Sequence, residues 1–509
     1  MQVISRERLR LLRPNRTMIG PGIHYVVLGL IIVAGTVVRL TGLSRQSLWF
    51  DEADIVVRAQ RPLSDILDTF TAAGENGPLY NLFLWGWVRI AGISEIAVRF
   101  PSAVAGSLAI PLIYLLGRRV AGQSAGLVAA LLLAMNPYHI WYSQEAKMYA
   151  IVVLLAILSS LLFVEALTRN QTSHWIGYVV VTSLMFYTHV TTVLIFVAQI
   201  VFVVATFATW RHRLRPLAIS VAALTLPYIP IAIWALRVVS GKARTWQPDV
   251  TLLDAIRIVG IKFAVNRSDL IIEQRAAILF AVLALIGAVA LIIQRKLNES
   301  GALLFTLTVV PVLGIWLVSI RNSVFSDRYV IVALPAYLIL VSAGIVLLWR
   351  HRWLWPVGVV ALVMIFSYSW ATIRDVNLSH DAEKEDWRSA YALIARHAEP
   401  GDIILPHPGY IQSTYDYYSQ REPGLQEFGT ITIPSFNVRW LTEENMVLWI
   451  TNRVGQPDRI WLVASPDRVP HEDPDATLQR WLTEHSQIVE EHVLNGIHLT
   501  LFDVEWPDG

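Results

Sequence analysis

IHYVVLGLIIVAGTVVRL, running from Ile23 to Leu40 and followed after a short polar stretch by Trp49-Phe50-Asp51-Glu52-Ala53, decides how this chain is read. An apolar run of about 18 residues is long enough to cross a bilayer as a helix. Two adjacent carboxylates a few residues past its end lie beside a membrane surface, and groups of that kind are the first place to look for function. Outward from this stretch the same character persists: the chain is 55% hydrophobic and 16% charged, with a mean hydropathy of +0.50. Residues 1–372 therefore read as a polytopic helical membrane protein rather than a soluble core. The net charge of +2 names no partner and gives no reason to expect nucleic acid, because the placement of charges along such a chain matters more than their sum. Cysteine is absent, which excludes disulfides and thiolate chemistry.

Arg6, Arg8, Arg10, Arg13 and Arg16 precede the first run, and no small-residue cleavage site follows it, so it reads as an uncleaved anchor. Apolar segments predict spans over about 23–41, 101–118, 123–140, 148–168, 174–188, 190–209, 216–236, 275–294, 301–320, 329–349 and 353–372, about eleven in all. Pro78 to Ala91 is apolar but short, and charge decides its place. If it lies in the interface, Arg6 to Arg16, Arg118-Arg119, Arg169, Arg211 to Arg215, Arg295-Lys296 and Arg350 to Arg352 all fall on one side. That side is cytoplasmic, as is the basic N-terminus of residues 1–22. Residues 42–100 then form a long first external loop, and residues 142–147, 237–274 and 321–328 face outward as well. This is the orientation expected of a multi-pass protein of the plasma (inner) membrane.

The chain changes character near Thr372. A charged amphipathic stretch (Glu385 to His397), a Pro400-Gly401 turn, a short strand (Asp402 to Leu405), an aromatic stretch (Tyr410 to Tyr418) and a second strand (Arg459 to Ala464) predict a small α/β domain over 373–509, on the external side. The fold class is thus an all-α polytopic membrane protein over 23–372, with a small C-terminal soluble α/β domain.

Polar groups gather in the segments placed outside. Asp51 and Glu52 are followed by Arg58; the bland account makes Asp51 an N-cap for an interfacial helix over 52–60. Glu145 and Lys147, within Tyr142-Ser143-Gln144-Glu145-Ala146-Lys147-Met148-Tyr149, open a span, where a carboxylate and a snorkelling lysine are also ordinary. Arg328, in Phe325-Ser326-Asp327-Arg328-Tyr329, runs against the positive-inside bias and suits a phosphate at headgroup level; a lipid or carboxylate partner is the plainer account. His189 joins two spans on the same side, as a loop residue or a site residue. The 19 tryptophans suit interfacial belts, with stacking on a sugar ring as the alternative.

The order of Leu48-Trp49-Phe50-Asp51-Glu52-Ala53, Glu75-Asn76-Gly77-Pro78-Leu79-Tyr80, Arg99-Phe100-Pro101-Ser102 with Gly106, Tyr142 to Tyr149, and Asp327-Arg328-Tyr329 with Pro335 resembles the polyprenyl-phosphate-sugar-dependent glycosyltransferases of the GT-C fold. Among these it resembles the bacterial relatives of the protein O-mannosyltransferases and of the lipid A aminoarabinose transferase, over about residues 20–345. The resemblance implies a catalytic acid in the first external loop, interfacial helices after it, and a sugar donor on a membrane-anchored polyprenyl phosphate. Carried over by position, Asp51 matches the catalytic acidic residue, Glu52 its neighbour, Glu145 the later acidic position, and Arg328 with Tyr329 the pair near the donor phosphate. Lys147 and Arg58 are further phosphate-binding candidates, and His189, Tyr149 and Glu75 candidate substrate-binding residues. At Glu75-Asn76-Gly77-Pro78 the chain departs from the His-Pro-Pro or Lys-before-Pro of many relatives.

The chemistry suits these residues on its own terms. Inverting transfer needs one base to take the acceptor hydroxyl proton, a role for Asp51 worth roughly 10² to 10⁴ in rate. It also needs a cation on the departing phosphate, a role for Arg328. No cofactor is required; a divalent cation assisting through Asp51, Glu52 or Glu145 stays open. Expected partners are the polyprenyl-phosphate sugar, membrane lipids, and an acceptor that is protein, lipid or glycan. A transporter or flippase of lipid-linked sugars is the competing class, but it calls for charges deep in the spans and an internal repeat. A non-enzymatic assembly protein is a third.

Overall fold

In the computed structural model, residues 21–70, 77–228, 249–266, 271–293, 299–377, 383–433 and 442–506 are described. The first run forms α1 (Pro21–Leu40). The loop after it is itself helical: α2 (Phe50–Ala59), α3 (Leu63–Asp68) and α4 (Pro78–Ala91). With 14 residues, α4 is about 21 Å long, well short of a bilayer core of about 30 Å. Then follow α5 (Glu95–Ala121), α6 (Gln123–Ala134), α7 (Pro137–Ser143), α8 (Tyr149–Arg169), α9 (Thr172–Thr188), α10 (Val193–Ala205) and α11 (Leu214–Thr225). The helical part closes with α12 (Leu252–Val265), α13 (Ile271–Ile293), α14 (Ser300–Asn322), α15 (Leu334–Arg350) and α16 (Trp355–Thr372).

Among the described residues seven helices are long and apolar enough to cross a membrane, and Val190–Ala205 with Phe207–Thr225, bent by 89°, form a broken span or a re-entrant loop, eight spans if the pair is taken as one. The chain is a multi-pass membrane protein. The difference from eleven has local causes. The predicted span over 123–140 breaks at Asn136-Pro137: the proline ring disfavours a helical residue before it, and the Asn136 side chain caps α7 by accepting from the His139 N–H at 2.9 Å. What remains, α6, has 12 residues. The segment over 174–188 forms α9, 17 residues long, and stops at His189 in an extended conformation. The span over 216–236 runs partly outside the described residues. Residues 252–265, read as loop, form α12, whose start is capped by Thr251. Where α13 crosses α15 the backbones touch: a Cβ on Gly344 would strike the Leu283 carbonyl, and one on Gly287 the Leu340 carbonyl.

Beyond the last span come α17 (Trp387–His397), β1 (Ile403–His407), α18 (Gln412–Tyr418), β2 (Gly429–Thr430), α19 (Glu443–Val454), β3 (Arg459–Ala464), α20 (Thr477–Glu484) and the hairpin β4 (Ser486–Leu494) and β5 (Ile497–Val504). They make a five-stranded sheet of order β2-β1-β3-β5-β4, with β1 parallel to β2 and β3, and β5 antiparallel to β3 and β4. Alternation along the strands gives the sheet two apolar faces. Leu405, Ile460, Leu462 and Phe502 pack with Met446 and Trp481 of α19 and α20. Ile404, Trp461, Val463 and Leu501 share a core with Trp387, Tyr391 and Tyr418, and this core runs on into Leu48, Ala53, Val56, Tyr80 and Leu84 of the first loop. The sheet is thereby seated on the loop that carries Asp51.

Candidate active site

Helix α2 begins two residues earlier than predicted. Trp49 is the N-cap residue and offers no side-chain cap, so Asp51 and Glu52 fall inside the first turn. Asp51 is therefore not the cap; its Oδ2 instead accepts from Arg328 Nη1 at 2.8 Å, an ion pair between the first loop and the 3-10 turn Asp327–Ala333. Burial opposes the Asp51 charge, but Lys147, Arg328 and Arg468 outweigh it and hold the carboxyl below its usual range. The Arg328 guanidinium also lies 5.8 Å from the Trp49 ring and 5.6 Å from the Tyr329 ring. Its Nε is buried with no hydrogen-bond partner among the described residues, as are Trp49 Nε1 and Glu145 Oε2. These three atoms leave two donors and an acceptor open in one neighbourhood.

Glu52 is different. Its side chain is fully buried, and its oxygens accept from Arg99 Nε at 2.8 Å, Arg99 Nη2 at 2.6 Å, the Ala146 N–H at 2.7 Å and Lys384 Nζ at 3.1 Å. Burial pushes its pKa up, but Arg99 and Lys384 prevail and hold it at about 2. Arg99 spends its remaining donors on the carbonyls of Leu43, Gln46 and Ser47, at 2.7, 2.7 and 2.9 Å, which fixes the backbone leading into α2. Glu145 sits 3.2 Å from the same Lys384 ammonium. Burial is the first cause of its raised pKa, relieved in part by Lys384 and reinforced by Glu52. Lys384 also lies 5.0 Å from the Trp141 ring.

His189 is buried, with Nδ1 2.8 Å from Thr191 Oγ1 and its ring 5.8 Å from Tyr149 and 5.4 Å from Tyr329. Desolvation first, then Arg328 and Lys147, push it down to about 3, so it is neutral. Lys147 acts electrostatically on both Asp51 and His189. Asp51, Glu52, Glu145, Lys147, Tyr149, His189, Arg328 and Tyr329 thus form one neighbourhood. Arg58 pairs with Asp54 of its own helix at 2.9 Å and is partly exposed. Glu75 lies outside the described residues.

Sequence reading missed Lys384, Glu385 and Arg468. Lys384 lies in Glu383-Lys384-Glu385-Asp386, which looks like a solvated charge run. Arg468 pairs with Glu385 at 2.8 Å and lies 5.1 Å from the Phe50 ring. Docking is extensive: the Ser47 hydroxyl donates to the Glu385 carbonyl at 2.5 Å, the Leu48 N–H to the Tyr418 hydroxyl at 2.8 Å, and Arg388 pairs with Glu95. Arg39 and Glu165, charges near the ends of α1 and α8, are partnered within the protein, with Arg39 Nε left over. Arg39 donates to the carbonyls of Gly35, Leu133 and Ala134 and contacts His139, while Glu165 pairs with Arg119 and Arg169.

The three carboxylates each face a protein cation, and among the described residues they do not converge as a metal-ligand group. No cofactor is established.

Residues 75–234 match the family model described as dolichyl-phosphate-mannose-protein mannosyltransferase. The structure is similar to ArnT from Cupriavidus metallidurans in the apo state, with a TM-score of 0.59 and 12% identity, covering 96% of this chain and 100% of that one. It is also similar to the same protein bound to undecaprenyl phosphate, with a TM-score of 0.55, 11% identity and coverage of 96% and 100%. The oligosaccharyltransferase of Archaeoglobus fulgidus tethered with an acceptor peptide matches with a TM-score of 0.55 and 10% identity, covering 95% of this chain and 74% of that one. No curated protein matches the chain in sequence.

Proposed function

We propose that this chain, which has the GT-C fold, is an integral-membrane glycosyltransferase. It takes a sugar from a polyprenyl-phosphate carrier and passes it, with inversion, to an acceptor hydroxyl at the outer face of the plasma membrane. The observation that carries the reading is the Asp51–Arg328 pair with its buried, unpartnered Arg328 Nε. A base and a phosphate-binding cation are the two groups the reaction needs, and here they are adjacent.

Without carrier, each neutralises the other, and a carboxylate so held is a weak base. The carrier phosphate competes for Arg328, whose planar fork suits it. As Arg328 turns its charge to the phosphate, Asp51 loses its partner, its pKa rises, and it accepts the acceptor hydroxyl proton while the oxygen attacks the anomeric carbon. The bond from that carbon to the phosphate oxygen breaks, and Arg328 with Lys147 holds the charge that develops there. Glu52, saturated and buried, does not reach substrate; together with Arg99 it positions α2. Glu145, Tyr149, His189 and Tyr329 line the same neighbourhood as candidate sugar contacts. The N-terminus is assigned to the cytoplasm and residues 373–509 to the outer side as a domain that completes the site through Lys384.

The test uses purified chain in nanodiscs with undecaprenyl phosphate as probe, then with undecaprenyl-phosphate-linked sugars and membranes from cells lacking the protein. Saturable carrier binding and sugar transfer support the reading. Carrier movement in liposomes with no transfer product replaces it with a flippase.

A further inference from the structure

We propose that His397, Glu490 and His492 form a binding site for a zinc-class dication on the C-terminal sheet, separate from the Asp51 neighbourhood. Glu490 and His492 stand two apart on β4, on either side of one intervening residue, which places both side chains on one face of the strand. His397 is the last residue of α17 and reaches the same point from a different element. His397 Nδ1 lies 2.6 Å from Glu490 Oε1, His492 Nε2 contacts the same oxygen, and the two rings are 6.0 Å apart, centre to centre.

Among the described residues this is the group whose His and carboxylate ligand atoms converge, all within 4.8 Å of one another. Ligands around a tetrahedral zinc at about 2.0–2.2 Å stand about 3.4 Å apart, so small rotations of these half-exposed side chains suffice. Two imidazole nitrogens and one carboxylate suit zinc and its transition-metal neighbours, whereas calcium and magnesium prefer all-oxygen shells. Three protein ligands leave a fourth position for water or an incoming group. The plain alternative, two imidazoles donating to one carboxylate, uses the same atoms and is distinguished only by metal affinity.

The location gives the ion a consequence. Helix α17 carries Arg388, paired with Glu95, in its first turn and follows directly on Lys384 and Glu385. An ion at its last residue ties the far end of that helix to β4, so α17 is held at both ends.

The full chain, stripped with chelator, is titrated with zinc ion alone by calorimetry and with cobalt ion by visible absorption. Wild type should take up one tight equivalent, show the intense cobalt bands of four-coordination, and unfold at higher temperature in excess zinc. His397→Ala and His492→Ala should each lose the tight equivalent, the bands and the thermal shift. The near-isosteric Glu490→Gln should do likewise with an unchanged far-ultraviolet spectrum, which keeps the test valid if a histidine variant folds poorly. Absence of tight binding by wild type, or binding and cobalt spectra unchanged in all three variants, overturns the site and leaves a hydrogen-bonded cluster only.

Discussion

Lys384 Nζ lies 3.1 Å from Glu52 Oε2, joining the residue run that follows the last membrane helix to the first turn of the helix that follows the first. Both side chains are buried, with exposures of 8% and 0%. A buried pair contributes little net stability beyond an apolar equivalent, but removing one partner strands the other's charge.

Lys384→Met should destabilise the junction by up to about 3–5 kcal/mol, chiefly through buried Glu145, which loses its ion-pair partner, while Glu52 keeps Arg99. Thermal unfolding in detergent measures it, and limited proteolysis should show the C-terminal sheet released from the first loop.

Acid should loosen the same junction. Glu52 is held at about 2, below its ordinary 4.5, so its stabilisation is fully present above pH 4.5 and is lost as pH falls toward 2. Glu145 is raised, so its contribution runs the other way: present when the group is protonated and lost as pH rises through its folded value. The part of the tryptophan fluorescence that Trp387→Phe removes, followed from pH 6 downward, should report the Glu52 transition in wild type, and Glu52→Gln should flatten it.

Arg328→Gln should weaken undecaprenyl phosphate binding and lower turnover by about 10²–10³, the usual effect of removing one donor to developing charge. Because Asp51 loses a cation that holds its pKa down, the acid limb of kcat/KM should move to higher pH. A limb that stays in place would show that Arg328 does not govern Asp51.

Gly344→Ala tests the membrane helices. The added methyl would meet the Leu283 carbonyl on α13, and backbone yields less readily than a side chain. Overpacking of this kind costs about 1–3 kcal/mol, read as a lower melting temperature in detergent.

Much of this was legible in the chain because spans, short interfacial helices and strands leave local periodic marks. Pro78 to Ala91 forms α4 and Arg459 to Ala464 forms β3 with the predicted ends. The neighbourhood of Asp51, Glu145, His189 and Arg328 was reached from charge placement and motif order, and the structure brings those residues together. What escaped is non-local. Arg99 stands in the Arg99-Phe100-Pro101-Ser102 motif, but its role emerges only when its five donors are seen to clamp Glu52 and three carbonyls. Lys384 hides among acids because nothing within its own segment signals a partner more than three hundred residues away. The break at Asn136-Pro137 was visible as a dipeptide but was outweighed by the apolar run around it.

Asp51 is the proposed base of a transfer from polyprenyl phosphate. Its most direct test is Asp51→Asn, a near-isosteric change, assayed in nanodiscs for release of undecaprenyl phosphate from an undecaprenyl-phosphate-linked sugar in the presence of acceptor membranes. The variant should still bind undecaprenyl phosphate, with Arg328 freed from its partner, and should lose roughly 10²–10⁴ in turnover. Turnover near that of wild type would contradict the account.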